Sequence, residues 1–376
     1  MRRALFCLIL AFAIILTSFP CFAATEGEPS VSAKSAILID LYERNVLYEK
    51  NSRVRMPMAS TTKIITALVA SELLAPDASV RIPREAVGIE GSSIYLCEGE
   101  LLTVEQLLYA LLLESANDAA AALAIAAAGS TTRFASECNK KAAELGLRDT
   151  NFKNPHGLYD EDHYTTAYDL AVISAEALQS DLLRKIFATK NAKIPLGATP
   201  ENPSGSGCRS LKNHNKMLSL YESAIGMKTG FTKKSGRCLV SAAEKNGLTL
   251  IAVTLNAPDD WRDHTSMLNY GFERYEYKTV YEAGEFLYNF PLSNAEAAYV
   301  KASNLSPIKA LIRKGERISD TDVEATFRFA IAPIKKGQIL GRVCVTVGKK
   351  RFFSTLAATE EICAKKEKFS LFNKGS

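Results

Sequence analysis

Met58-Ala-Ser-Thr-Thr-Lys63 places a hydroxyl and an amine three residues apart, at Ser60 and Lys63. Residues three apart share one face of a helix, and apolar residues continue at helical spacing as far as Leu74. Lys63 can therefore take the proton of Ser60 if burial and a second cation depress the pKa of its amine. A serine at a helix start also places developing negative charge near free backbone N–H groups.

A serine and a lysine at this spacing form a weak signal alone, since roughly one or two chance copies are expected in a chain of this size. Ser306-Pro-Ile-Lys309 is such a copy, and its proline suits a turn in a β-rich region, so we interpret it as structural. Two further motifs distinguish Ser60 from it. Ser115-Ala-Asn117 falls in a break between two predicted helices, and Lys228-Thr-Gly230 lies on a predicted strand.

The second motif supplies groups that move and hold protons. Ser115 can relay a proton between Lys63 and a leaving amine. The Asn117 amide can hold a substrate backbone group and keep Lys63 oriented. We therefore predict Ser60, Lys63 and Ser115 as catalytic residues and Asn117 as a substrate-binding residue.

The third motif supplies groups that bind a peptide end. Lys228 and Thr229 offer a cation and a hydroxyl for a free carboxylate. Gly230 has no side chain, so a peptide can lie against this strand as an added strand. The N–H group of Phe231, together with that of Ser60, can form an oxyanion hole.

Hydrophobic periodicity predicts an α/β (α+β) fold, in which an antiparallel sheet is flanked by helices. Strands are expected at 35–40, 45–50, 224–229, 237–243 and 249–255, with polar or glycine-containing turns between neighbours. Helices are expected at 60–74, 103–114, 118–128, 131–145 and 263–275, the second opened by a capping box at Thr103. Short β-like runs follow from about Tyr277 onward and predict a small all-β domain.

The 376 residues suffice for two domains and terminal segments. We predict a signal peptide at 1–23, a flexible leader at 24–34, a catalytic domain at 35–276, a β-rich domain at 277–363 and a basic tail at 364–376. Two arginines precede an apolar run in the first segment, as in secretory signals, so we expect an exported protein. An uncleaved anchor is the alternative, but the run is short for a membrane span. The tail allows weak attachment to a membrane surface.

Charge and cysteine usage argue against other classes. The net charge of +5 comes from scattered basic residues, so nucleic-acid binding has little support. The six cysteines beyond the predicted signal are widely separated without a CxxC pair, and their redox state stays open. His156 and His163 flank two aspartates without an H-E-x-x-H motif, so we interpret the segment as a solvated acidic loop that shapes the cleft. We predict no metal and no cofactor.

S-x-x-K, S-x-N and K-T-G in this order resemble the penicillin-binding protein and serine β-lactamase superfamily. The residues within these motifs are similar to those of the low-molecular-weight D-alanyl-D-alanine carboxypeptidases. Three further stretches also resemble that family: Asn154-Pro-His-Gly-Leu158, Thr166-Ala-Tyr-Asp-Leu-Ala171 and Gly236-Arg-Cys-Leu-Val240. The resemblance covers 35–275 and implies a β-lactamase/transpeptidase-like fold. It also implies a serine enzyme that trims the terminal D-alanine from peptidoglycan stem pentapeptides through an acyl-enzyme, with β-lactams as covalent inhibitors.

Other functions stay open for the same motifs. A β-lactamase shares acylation, although the E-x-x-L-N pattern of class A enzymes is absent and the extra β domain argues against it. A DD-endopeptidase or transpeptidase would use the same acyl-enzyme. A non-catalytic wall-binding module would keep the pocket without turnover, which the intact Ser60, Lys63 and Lys228 disfavour. A histidine-dependent serine hydrolase would need a G-x-S-x-G elbow, which the chain lacks.

Overall fold

The computed structural model describes residues 27–199, 202–318, 321–327, 330–347 and 350–365. The predicted signal peptide and nearly all of the predicted basic tail lie outside the described residues. Within those ranges, no helix combines the length and the apolar composition that crossing a membrane requires.

A five-stranded antiparallel sheet organises the larger domain, as predicted from the alternating pattern. The strands before residue 260 are β1 (Ser35–Asp40), β2 (Val46–Lys50), β3 (Ser79–Arg81), β4 (Leu101–Thr103), β5 (Asn191–Pro195), β6 (Cys208–Lys212), β7 (Ala224–Thr232), β8 (Gly236–Lys245) and β9 (Leu248–Leu255). The sheet runs β2-β1-β9-β8-β7, whereas β3 pairs with β4 and β5 with β6. Every residue of β9 is buried, and β7 is the outermost strand on one side.

Helices cover both faces of the sheet. They are α1 (Lys63–Leu73), α2 (Val104–Tyr109), α3 (Asn117–Ala128), α4 (Thr131–Glu144), α5 (Ala167–Ala177), α6 (Asp181–Ala188), α7 (Met217–Leu220) and α8 (Asp260–Arg274). Along β1, Ile37 and Ile39 join the core beneath α1 to α6, while Ala36 and Leu38 join the core beneath α8. This alternation is what a strand buried on both faces requires.

Most predicted helices are confirmed, with different ends. The capping box at Thr103 is present, but α2 gives way to a π turn at Ala110–Glu114. The first helix opens with a 3₁₀ turn at Ala59–Thr62, and α8 begins three residues before its predicted start. The sequence patterns missed α5 and α6. Nearly all of α5 is buried, so it has no polar face to produce a helical period.

The segment predicted as a flexible leader is packed where the structure describes it closest to β1. Val31 and Ala33 are buried, and Ser32 donates from its N–H and hydroxyl to the Asp263 carboxylate at 2.8 Å each. The packed part of the chain therefore begins before Ser35, because this segment lies against α8 instead of extending into solvent.

The chain after α8 forms an all-β domain, which confirms that prediction. Its strands are β10 (Tyr275–Tyr281), β11 (Leu287–Ser293), β12 (Tyr299–Asn304), β13 (Ile308–Arg313), β14 (Thr321–Phe327), β15 (Ala330–Ile331), β16 (Ile339–Val347) and β17 (Lys350–Ala358). Six of them form a sheet in the order β14-β16-β17-β12-β11-β15, and β10 pairs with β13. Ser306 lies in the turn before β13, where its hydroxyl contacts that of Ser354 at 3.1 Å.

Candidate active site

Ser60 lies in the 3₁₀ turn that leads into α1. The turn begins at Ala59, whose φ of 48° is in the left-handed region that residues with a Cβ rarely occupy. The Thr61 hydroxyl closes the turn by donating to the Met58 carbonyl at 2.7 Å. This geometry brings Ser60 Oγ within 3.0 Å of Lys63 Nζ.

Lys63 is completely buried, and its amine has three oxygen neighbours. Nζ lies 3.0 Å from Ser60 Oγ, 2.6 Å from Asn117 Oδ1 and 2.7 Å from the His156 carbonyl oxygen. Two of these oxygens can only accept, so a neutral amine directs its two N–H groups at Asn117 and His156. Its lone pair is then left for the Ser60 proton, which is the arrangement that a general base requires.

Burial and a second lysine depress the basicity of this amine. The pKa of Lys63 is well below its usual value, first because burial disfavours the charged form and second because Lys228 adds a like charge. Asp118 opposes this shift. Burial also lowers the pKa of Lys228 to about 7, while Glu114 acts in the opposite direction. Both amines can therefore lose a proton more easily than exposed lysines.

The Ser115–Asn117 segment owes its position to a break between two helices. The π turn ends at Ser115, whose φ of 62° turns the chain before α3 starts at Asn117. Asn117 Nδ2 donates to the Glu90 carbonyl at 2.5 Å, which fixes the amide so that Oδ1 faces Lys63. Within the described ranges, the Ser115 hydroxyl forms no hydrogen bond to Ser60 or Lys63. It faces the cleft instead.

Strand β7 supplies the opposite wall. Lys228 is 1% exposed, and its Nζ donates to the Thr229 carbonyl at 3.0 Å. At Gly230, an added Cβ would lie 3.0 Å from the backbone nitrogens of both Ser60 and Thr61, so the strand approaches the nucleophile turn closely. Phe231 is 67% exposed.

These walls enclose a cleft of about 400 Å³. Its lining residues are Ser60, Ser92, Ser115, His214, Lys216, Thr229, Gly230, Phe231, Arg237, Asp260 and Trp261. Five predicted site residues therefore line one cavity. Lys63 lies behind it in contact with Ser60 and Asn117, and Lys228 is buried beside Thr229.

Arg237 was not predicted as a site residue, although it lies in the stretch Gly236-Arg-Cys-Leu-Val240 that resembles the carboxypeptidases. Arg237 pairs with Asp260 at 2.7 Å, and its guanidinium carbon lies 5.6 Å from the centre of the Trp261 ring. It is a cation in the same cleft as Thr229. The signal that could have identified Arg237 is its position on β8, because β8 pairs with β7, the strand that carries the K-T-G motif.

The loop between His156 and His163 is exposed at Glu161 and Asp162, as expected of a solvated acidic loop, but His163 itself is buried. His163 is 3% exposed, and burial lowers its pKa to about 4. The His156 carbonyl accepts from Lys63, so this loop builds the site rather than only shaping its entrance. In the described part of the chain, no group of three or more His, Cys, Asp or Glu could hold a metal ion. The cysteines found there are all free thiols, at Cys97, Cys138, Cys208, Cys238, Cys344 and Cys363.

Comparison with known proteins agrees with this constellation. The profile of the D-alanyl-D-alanine carboxypeptidase family matches residues 22–259. The chain belongs to this family. A second profile, for the C-terminal domain of penicillin-binding protein 5, matches residues 275–364.

Carboxypeptidase relatives resemble the chain over nearly its whole length. The D-alanyl-D-alanine carboxypeptidase DacF of Bacillus subtilis is 34% identical, over 100% of this chain and 97% of the relative. Penicillin-binding protein 5 from Haemophilus influenzae superposes with a TM-score of 0.70 at 26% identity, covering 91% of this chain and all of the other. A peptidoglycan synthesis regulatory factor, PBP3, from Streptococcus pneumoniae superposes with a TM-score of 0.74 at 25% identity, covering 89% of this chain and 100% of the other. The chain is thus a serine peptidase of the carboxypeptidase family.

Proposed function

We propose that this carboxypeptidase removes the terminal D-alanine from peptidoglycan stem pentapeptides, with Ser60 as the nucleophile. The observation that carries the proposal is the buried Lys63 amine, which lies 3.0 Å from Ser60 Oγ while two pure acceptors hold its other positions. A lysine of depressed pKa in this arrangement is suited to deprotonate a serine.

The reaction proceeds through an ester on Ser60. Oγ attacks the carbonyl of the penultimate D-alanine while its proton passes to Lys63, and the N–H groups of Ser60 and Phe231 stabilise the oxyanion. The C–N bond then breaks, and Ser115 passes the proton to the departing D-alanine. Water hydrolyses the ester by the reverse proton path and regenerates the Ser60 hydroxyl. β-Lactams are proposed to acylate the same oxygen and to act as covalent inhibitors.

Substrate capture uses the cationic wall of the cleft. The free carboxylate accepts a hydrogen bond from the Thr229 hydroxyl and lies beside the Lys228 amine. Arg237, which lines the same cavity as Thr229, adds a guanidinium group as a further donor. Asn117 already bonds Lys63 and the Glu90 carbonyl, and the second N–H of its Nδ2 is the group left for the peptide backbone. The outer edge of β7 is available for the peptide to add as a strand, and Gly230 lets β7 lie close to the nucleophile turn.

The site of action follows from the substrate. We propose that the protein is exported by its N-terminal signal and acts in the cell envelope, with weak attachment to the membrane surface through its basic C-terminal tail. We also propose a domain boundary close to the predicted 276/277. Because β10 pairs with β13 from Tyr275 onward, we place it at the end of α8, between Arg274 and Tyr275.

A pair of assays tests this function. Wild-type protein should be labelled by fluorescent penicillin and should release D-alanine from a pentapeptide, whereas Ser60→Ala should do neither. Ser306→Ala is the matched control, because it removes the serine of the decoy motif, and its labelling should be intact. Labelling that survives in Ser60→Ala would overturn the assignment. Rapid penicillin hydrolysis without D-alanine release would instead indicate a β-lactamase, and binding without acylation would indicate a wall-binding module.

A further inference from the structure

A chain of buried hydrogen bonds lies behind the nucleophile turn. The Lys153 N–H donates to His163 Nδ1 at 3.0 Å, and His163 Nε2 lies 2.8 Å from Thr62 Oγ1. Thr62 Oγ1 in turn donates to the Ala59 carbonyl oxygen at 2.8 Å. His163 and Thr62 are 3% and 1% exposed, so bulk water does not compete for these bonds.

The direction of each bond is fixed by its ends. A backbone N–H can only donate, so His163 Nδ1 accepts from Lys153 and the neutral ring carries its proton on Nε2. That proton is donated to Thr62 Oγ1. The Ala59 carbonyl can only accept, so the Thr62 hydroxyl donates to it. Burial favours the neutral ring that this pattern needs, as the lowered pKa of His163 indicates.

The Ala59 carbonyl oxygen is the last acceptor in this chain of hydrogen bonds, and it belongs to the same peptide unit as the Ser60 N–H. A trans peptide is planar, so fixing the Ala59 carbonyl also fixes the direction of the Ser60 N–H on the other side of the unit. This unit needs external support, because Ala59 has a positive φ. Gly157 adds a steric limit, since a Cβ there would lie 1.9 Å from the Ala59 oxygen.

We propose that His163 is a positioning residue that acts through Thr62 to aim and polarise the Ser60 N–H as an oxyanion donor. The inference rests on the proposed function, since it assumes that Ser60 is acylated through a tetrahedral oxyanion. His163 itself contacts neither the substrate nor the reacting oxygen. Its effect reaches the reaction through the Ala59–Ser60 peptide, whose polarisation increases along a continuous chain of donors.

Two substitutions at Thr62 separate positioning from packing. Thr62→Val keeps the side-chain shape but removes the hydroxyl, whereas Thr62→Ser keeps the hydroxyl. Stopped-flow acylation by a chromogenic β-lactam separates the binding constant from the acylation rate constant. We expect Thr62→Val to lower the rate constant by about 10- to 50-fold, less than complete loss of an oxyanion donor. Binding should stay within about twofold, and Thr62→Ser should recover most of the rate.

A transition-state analogue gives a second readout. A peptidyl boronic acid forms a tetrahedral adduct with a serine and places an oxygen where the oxyanion develops, so its affinity should fall in parallel with the acylation rate. Combining Thr62→Val with His163→Leu should cost little more than either change alone, because both break one chain. Ser174→Ala is the matched control. It removes another buried hydroxyl, which donates to Leu170 at 2.7 Å in α5, and should leave acylation unchanged.

The outcomes distinguish this inference from the proposed function. An unchanged acylation rate in Thr62→Val, or equal damage in Thr62→Ser and Thr62→Val, would overturn the positioning role while leaving Ser60 as the nucleophile. Absence of acylation in the wild type would instead overturn the proposed function. Thermal melting identifies any variant that fails to fold. In that case His163→Leu, which leaves the Thr62 hydroxyl in place, tests the same link.

Discussion

Gly230→Ala tests how closely β7 and the nucleophile turn must approach each other. The added Cβ would lie 3.0 Å from the backbone nitrogens of Ser60 and Thr61 and 3.1 Å from the Met58 carbonyl oxygen. Unstrained contacts between heavy atoms lie at roughly 3.5 Å or more. The strand and the turn must therefore separate by about 0.5 Å, since all three neighbours are backbone atoms that cannot rotate away.

That separation falls between the two proposed oxyanion donors, the N–H groups of Ser60 and Phe231. A misplacement of about 1 Å can cost about 100-fold in rate, so a shift of half that size should cost about tenfold, or about 1.4 kcal/mol in the barrier. Stopped-flow acylation by a chromogenic β-lactam measures this loss, with thermal melting as a check on folding. An acylation rate within twofold of wild type in a folded variant would refute the reasoning.

Further predictions concern the base, the C-terminal domain and acid stability. Lys63→Arg should abolish penicillin labelling, because a guanidinium stays protonated and cannot act as a base; wild-type acylation rates should fall as the pH drops through the depressed pKa of Lys63. Asn304→Ala should lower the free energy of unfolding by about 2–4 kcal/mol in urea titrations, because it removes buried hydrogen bonds to the backbone of Glu282, Phe286 and Ser306. Burial lowers the pKa of His264 to about 3. As the pH decreases, the unfolded chain therefore protonates this histidine at a higher pH than the folded chain does. Urea titrations should therefore show stability falling by about 1.4 kcal/mol per pH unit for this group as the pH decreases from about 6.5 towards about 3; constant stability over that interval would contradict the prediction.

The sequence predicted the reactive groups because their chemistry is local. Ser60 and Lys63 are three residues apart, so one turn of helix is enough to bring them together. Placing Lys228 and Thr229 on a strand needed only the period of two in the surrounding residues. The prediction for Gly230 concerned a bound peptide, whereas in the structure the missing side chain lets β7 approach the nucleophile turn.

What the sequence could not predict depends on tertiary packing. His163 looked solvated because aspartates precede it, yet Phe152 packs edge-on against its ring at 5.8 Å and Lys153 and Thr62 satisfy its nitrogens. Helix α5 was not predicted, because a helix that is buried on nearly all sides has no alternation of polar and apolar faces in its sequence. The role of the His156 carbonyl was also invisible, since any residue type can supply a backbone oxygen.

Mass spectrometry of the penicillin-treated protein tests the central claim most directly. The proposed site predicts one covalent penicilloyl group on the peptide that contains Ser60, and no adduct after Ser60→Ala. An adduct on Ser115, on Ser306 or on any other residue, or none on a folded wild-type protein, would contradict the claim that Lys63 activates Ser60.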